Sequence, residues 1–345
     1  MNNKPENIIN FDVVVGEDEL NNDLIVNASR LSHLLIAGIP GSGKSNLLHN
    51  IIATLSSRIS PSDLKFILID SKKVELNVYN RLPHLLTPVI TDVKKAVLAM
   101  KWAGKEMDRR FDMLQLDGIR DIEAYRTKGH KENTMPYIFI VIDGLSDMIA
   151  IYPVEVEAVI TRLTQMSHKV GIHLILSTSR VANKVITEPI KSGIPSRISF
   201  KVPSVGDSVS IMGVEGAEKL QVPAEILFQS GSMKYPICAR LSLISDKEVK
   251  EKLKTIKEIS KEEMLKGFAT NPDDYDNENS DELFDEAREA VLAAGKASTS
   301  YIQRKLGVGY SRAAQLMDLL EDRGVIGPAN GASPREVLET KTVHG

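Results

Sequence analysis

"HLLIAGIPGSGKSNLLHNIIATL", residues 33–55, joins three signals in one stretch. The continuous apolar run "HLLIA" reads as a strand buried on both faces. A glycine-rich turn follows, and "SNLLHNIIATL" then places apolar residues at helical spacing. The turn, "GIPGSGKS", fits G-x-x-x-x-G-K-[ST], which chance would give a chain this long on the order of once in a hundred. Each residue type has a physical reason. Glycines let backbone N–H groups turn inward around a β-phosphate at the positive end of a helix. Gly38, Ile39, Pro40, Gly41, Ser42 and Gly43 are thus the expected cradle. Lys44 reaches the β- and γ-phosphates, and the Ser45 hydroxyl coordinates Mg²⁺. ATP and Mg²⁺ are the expected cofactors.

Further short apolar runs lie downstream: "KFILID" (65–70), "YIFIVID" (137–143), "HLILST" (173–178) and "RISFKV" (197–202). Amphipathic stretches at 44–58, 91–115 and 154–169 separate them. This alternation implies an α/β fold, with a parallel-rich central sheet and crossover helices. Asp143 closes "YIFIVID" and is expected to hold Mg²⁺ through water; an ordinary loop-capping acid is the bland alternative. At the end of "HLILSTSR", Thr178 and Ser179 are candidates to sense the γ-phosphate, or a plain strand-end polar cluster.

The chain has 345 residues, 42% of them hydrophobic, enough for a real core and for two domains. A net charge of −3 gives no whole-chain sign of nucleic acid, so any such surface must be local. One cysteine, Cys238, excludes an internal disulfide framework and fits a reducing cytoplasm. Runs such as "YIFIVI" fall far short of the ~20 apolar residues of a membrane span. The start, "MNNKPENIINF", lacks a signal-peptide pattern. A cytoplasmic location is expected.

Composition and strand–helix alternation divide the chain into a lead-in (1–29), an α/β domain (30–245), a charged helix and linker (246–282), a small domain (283–338) and a tail (339–345). "DKEVKEKLKTIKEISKEEMLK" reads as a solvated helix. "NPDDYDNENSDE" (271–282), with six acids in twelve residues, cannot repay its ordering entropy.

Longer runs resemble the FtsK/SpoIIIE family of DNA translocases: "FILIDSKKVELNVYNRLPHLLTPVITDVKKA" (66–96), "EMDRRFDML", "MPYIFIVID", "GIHLILSTSR" and "IPSRISFKV". The segment 297–338, "ASTSYIQRKLGVGYSRAAQLMDLLEDRGVIGPANGASPREVL", is similar to the winged-helix module of that family, which reads orienting sequences on the chromosome. The resemblance implies a RecA-like P-loop motor, assembled as a ring (a hexamer) around double-stranded DNA with ATP at the subunit interfaces. Hydrolysis would drive DNA movement in chromosome segregation and cell division. The family's N-terminal membrane anchor has no counterpart here, so a short form or an excised motor is expected.

Three places depart from the family pattern. Gly144 stands where a glutamate normally follows the Mg²⁺ aspartate, a base typically worth ~10²–10⁴ in rate. Ser179 replaces a glutamine. Val209, in "DSVSIMG" (207–213), replaces an arginine whose action in trans would be worth ~10³–10⁵. Asp147 matches a family acid but is expected to point elsewhere, a substitute base being the lesser alternative. Arg180 and Arg197 are candidate charge stabilisers, the latter equally a structural salt bridge. Asp143, Thr178 and Arg197 are therefore the candidate catalytic residues. Two readings stay open: an active translocase, or a hydrolysis-deficient subunit that clamps DNA or joins a mixed ring with an intact paralogue.

In the small domain, helices are expected at 281–294, 299–306 and 311–323, ended by Gly324, followed by a β-wing. Ala313, Leu316, Met317 and Leu320 form an inward stripe. Lys296, Arg304, Lys305 and Arg312 carry positive charge between acidic flanks. Arg304, Lys305, Arg312 and Gln315 are the expected DNA contacts, Arg312 for guanine and Gln315 for adenine. Lys184 and Lys191 read as plain surface lysines, with contacts to the DNA backbone as the alternative, and His33 and His84 as hydrogen-bonded core residues.

Overall fold

The computed structural model describes residues 9–128, 135–180, 185–254, 256, 283–322, 325–327 and 335–338. They fall into two compact units, divided between residues 271 and 272.

The first unit is built on a sheet of nine strands: β1 (Asp12–Glu17), β2 (Asp23–Asn27), β3 (Leu34–Ala37), β4 (Leu64–Asp70), β5 (Tyr137–Asp143), β6 (Ile172–Thr178), β7 (Ser196–Ser199), β8 (Glu225–Gln229) and β9 (Ile237–Arg240), in the order β2-β1-β9-β8-β7-β3-β6-β5-β4. From β7 to β4 every pairing is parallel, and from β7 to β2 every pairing is antiparallel. Every residue of β3, β5 and β6 is buried, which explains why these strands show no alternation. Helices α1 (Lys44–Arg58), α2 (Val93–Leu116), α3 (Ile122–Thr127), α4 (Leu145–Ile151), α5 (Pro153–Met166), α6 (Glu188–Gly193) and α7 (Val205–Met212) connect the strands.

The sheet reaches further than the sequence signals did. β1 and β2 lie upstream of residue 30, within the expected lead-in, and form one edge of the same sheet. Downstream, α8 (Asp246–Lys254) lies on α1: Val249 is buried and Lys252 Nζ donates to Thr54 Oγ1 at 3.0 Å. The expected solvated helix therefore has one packed side.

Arg110 on α2 is fully buried. It donates to Pro136 O and Val170 O, both at 2.8 Å, and to Glu106 Oε1 at 2.8 Å, tying α2 to the entries of β5 and β6. His33 and His84 are core residues: His33 Nδ1 accepts from Leu174 N at 3.0 Å, and His84 Nε2 lies 2.8 Å from Ile59 O.

The second unit has helices α9 (Phe284–Ala294), α10 (Thr299–Leu306) and α11 (Tyr310–Asp322). The short strands β10 (Lys296–Ala297) and β11 (Arg335–Glu336) pair antiparallel, extended by a bridge between Ile326 and Val337. Its separate core includes Phe284, Val291, Ile302 and the stripe Ala313, Leu316, Met317, Leu320. Ser298 caps α10 by accepting from Tyr301 N, and Gly307 ends it at φ 67°. Gly324, Lys184 and the tip of the expected wing lie outside the described residues.

Candidate functional site: the phosphate loop and the strand ends

Parallel registration brings the chemistry to one edge. Ala37 is level with Thr178 on one side and Ser199 on the other, Ser177 with Asp143, and Asp143 with Asp70. The carboxyl ends of five parallel strands thus form a common rim, the place where open α/β sheets hold ligands.

The loop from Gly38 to Gly43 rises from β3 on this rim and opens α1 through Gly43 at φ 115°. Gly38 (φ 153°) packs against the next strand so closely that a Cβ there would lie 2.6 Å from Phe200 Cβ. Ile39 N donates to Lys201 O at 2.8 Å, and Ala224 N donates to Ser42 O at 3.2 Å. Lys44 is buried, and its Nζ donates to Gly38 O and Ile39 O, both at 2.8 Å. Burial lowers its pKa to about 8, against the opposing pull of Asp143, with Lys72 pushing the same way as burial. The Ser42 hydroxyl is buried with no hydrogen-bond partner among the described residues. Ser45 is half-buried at the start of α1.

Asp143 is buried at the end of β5, and Ser177 Oγ donates to its Oδ1 at 2.9 Å. Burial raises the Asp143 carboxyl above the usual range, while the Ser177 hydrogen bond opposes this. A carboxylate whose burial outweighs the groups that favour its charge is one that a bound cation stabilises. The residues fit Mg²⁺-ATP: a glycine cradle, an ammonium at its centre, an unpartnered hydroxyl in the loop and a buried acid on the neighbouring rim.

Asp70 is the acid that sequence reasoning missed. It is fully buried, and its carboxylate accepts from the backbone N–H groups of Lys72, Lys73, Glu75 and Leu76 at 2.9–3.1 Å. Four such donors make it a rigid cap for the segment after β4. The signal was present, since "FILID" repeats the apolar-then-acid pattern of "IFIVID". Ser177 was also missed in favour of Thr178. Alternation along β6 turns Ser177, not Thr178, toward Asp143. Thr178 Oγ1 instead donates to Arg180 O at 3.0 Å and accepts from Arg180 N at 3.2 Å, closing the turn beside Ala37.

Arg197 lies toward the opposite end of its strand, level with Leu35. Its guanidinium donates to Lys191 O, Ile194 O and Ile211 O at 2.6–3.1 Å. Within this chain the expected charge stabiliser is a clamp on backbone carbonyls, away from the rim. Lys191 is no plain surface lysine: it is mostly buried, and its Nζ donates to Glu188 Oε1 at 2.9 Å. Val209 is 45% exposed on α7, as is Val205 at 42%.

Gly144 caps α4 at φ 92°. A Cβ at this position would meet Ser71 Oγ at 2.2 Å and Asp147 Oδ2 at 3.1 Å. Asp147, expected to point elsewhere, therefore places its carboxylate beside Gly144, where Ser71 Oγ donates to it at 2.9 Å.

In the small unit, Arg304 and Lys305 are exposed on α10 and Lys296 on β10. Arg312 and Gln315 belong to α11; their side chains lie outside the described residues.

The profile of the FtsK/SpoIIIE family matches residues 2–183, and that of the Ftsk gamma domain matches residues 278–340. The chain belongs to the FtsK/SpoIIIE family. It is 44% identical over 327 residues to the DNA translocase FtsK of Caldanaerobacter subterraneus subsp. tengcongensis, covering 94% of this chain and 46% of that one. With the DNA translocase SpoIIIE of Bacillus subtilis it shares 41% identity over 330 residues, 92% of this chain and 42% of that one. The chain thus spans less than half the length of these curated relatives. Among solved structures, the pCW3 conjugation coupling protein TcpA, in its monomer form with ATPγS, superposes with a TM-score of 0.63. The identity is 25%, over 74% of this chain and 73% of that one. The cytoplasmic domain of the type VII secretion ATPase EccC of Thermomonospora curvata gives 0.61 at 23% identity, over 69% and 29% of the two chains. The fold is that of a P-loop ATPase with a C-terminal winged helix. No helix among the described residues is long and apolar enough to cross a membrane.

Proposed function

We propose that this chain is the motor and reading head of an ATP-driven double-stranded DNA translocase of chromosome segregation, acting in the cytoplasm as a hexameric ring. The observation that carries the reading is the phosphate loop, with Lys44 at its centre, raised on the same sheet rim as the buried acid Asp143. Loop amides and Lys44 bind the phosphates. Ser45 and Asp143 would hold Mg²⁺, which would supply charge neutralisation on the phosphate oxygens. Ser177 fixes the Asp143 carboxylate, and Asp70 keeps the segment after β4 rigid.

In the small unit, Arg304 and Lys305 supply phosphate contacts, and Arg312 and Gln315 read bases. Sequence-independent salt bridges to phosphate make such binding strongly salt-dependent.

Gly144 favours a second reading, in which the chain holds ATP and clamps DNA while an intact paralogue in a mixed ring supplies turnover. Steady-state ATPase measurement with and without duplex DNA separates the two. The translocase reading expects DNA-stimulated phosphate release that Lys44→Ala abolishes together with nucleotide binding. Tight nucleotide binding with background turnover refutes it for the isolated chain. Arg304→Ala with Lys305→Ala should weaken binding to all duplexes alike and lower the salt slope by ~2; an unchanged slope removes both from the DNA face.

A further inference from the structure

We propose that Asp147, positioned by Ser71, is the carboxylate that orients the attacking water in place of the glutamate this chain lacks. The proposal rests on the ATP-hydrolysing reading above. Gly144 leaves no side chain at the position after Asp143, yet the space beside it is not empty. Asp147 Oδ2 lies 3.1 Å from where a Gly144 Cβ would be, the separation between Cβ and a carboxylate oxygen within a glutamate. The carboxylate arrives instead from the first turn of α4.

Ser71 holds it there. The hydroxyl lies 2.9 Å from Asp147 Oδ2, against 3.3 Å from Asp143 O and 3.5 Å from Gly144 O, so its single proton goes to the carboxylate. Ser71 N also donates to Asp143 O at 3.4 Å, which ties the pair to the strand end that bears the buried acid. Asp147 is only half-buried, so water reaches it. In the reaction, a water lone pair forms the new bond to the terminal phosphorus. The bond from that phosphorus to the β,γ-bridging oxygen breaks, and its electron pair leaves with ADP. Asp147 takes the water proton and passes it to the released phosphate.

The test is phosphate release by the full chain with Mg²⁺-ATP and duplex DNA, beside equilibrium binding of a fluorescent ATP analogue. Asp147→Asn should lower kcat by ~10²–10⁴-fold with analogue affinity within about twofold. Asp147→Glu should restore part of the rate. Ser71→Ala should lower kcat by fewer fold and Ser71→Thr preserve it. Gly144→Glu should bring no gain, because its side chain would start 2.2 Å from Ser71 Oγ on a left-handed backbone.

Asp147→Asn turning over like the parent overturns the proposal, as does a parent that binds nucleotide without releasing phosphate. Should Asp147→Asn fail to fold, Ser71→Ala decides, and an unchanged kcat refutes. A parent that binds no nucleotide sinks the ATP reading as well. Hydrolysis indifferent to Asp147 sinks this proposal alone.

Discussion

Gly38→Ala, set beside Gly41→Ala, separates the two jobs a phosphate-loop glycine does. At Gly41 (φ 75°) an added Cβ meets nothing within 4 Å, so the change costs only the left-handed conformation, ~1–2 kcal/mol. At Gly38 (φ 153°) the conformation costs ~1–3 kcal/mol and the new Cβ lands 2.6 Å from Phe200 Cβ. That atom is fixed to its backbone and cannot rotate away. Relief requires the loop to move by nearly 1 Å, the gap between 2.6 Å and ordinary contact at 3.4 Å or more. The moving parts are the binding parts: Gly38 O and Ile39 O hold Lys44, and Ile39 N is fixed to Lys201. A misplacement of that size costs ~10²-fold, or about 3 kcal/mol. Calorimetric titration with a non-hydrolysable ATP analogue should show Gly38→Ala weakened on the order of a hundredfold and Gly41→Ala by only a few-fold. Urea unfolding would confirm that both variants remain folded. Equal losses, or a Gly38→Ala affinity near the parent's, would refute the reasoning that contact with Phe200 sets the loop.

Two pH dependences follow from burial. Lys44 has a pKa of about 8 in the free protein, and phosphate capture needs its ammonium. Nucleotide affinity should fall as pH rises above 8, approaching tenfold per unit; a flat titration between neutral and strongly alkaline pH refutes this. His84 and His173 are held down to about 4 by burial, against 6.5 for the exposed side chain. The unfolded chain therefore binds more protons as pH falls from 6.5 toward 4, and stability drops across that window by about 3 kcal/mol for each histidine. Chemical denaturation at neutral pH and near pH 4 measures it, and a double His84→Gln, His173→Gln variant should show a shallower acid loss. An identical slope would place the acid sensitivity elsewhere.

The parallel half of the sheet was legible because its strands carry continuous apolar runs, and the "GIPGSGKS" turn fixes which rim matters. The observed β4, β5 and β6 begin and end within one residue of the runs read from sequence. The antiparallel half was not legible. β1 ("DVVVGE"), β2 ("DLIVN") and β9 ("ICAR") mix buried and exposed positions, and in such short pieces a partly exposed strand resembles a loop. The charges interleaved along α8 hide its packed side, where Val249 is the one buried residue. At the site, the loop and Asp143 were readable from residue type and spacing. Ser71 and Ser177 were not, because their roles depend on which residues three parallel strands set level; Asp70 carried a readable apolar-then-acid signal, but its capping of residues 72–76 depends on the fold of the turn that follows it. The place of Asp147 beside Gly144 was not legible either, because a helix beginning at a left-handed glycine aims its first turn differently from one continuing out of an extended strand.

Asn46 grips the backbone of Ile244 from both sides: its Nδ2 donates to the carbonyl at 2.6 Å, and its Oδ1 accepts from the amide at 2.9 Å. Asn46 stands two residues beyond Lys44, on the first turn of α1. The stretch that follows the last strand of the sheet is thus buttoned to the first turn of α1, so a displacement of that turn would act directly on the backbone at residue 244.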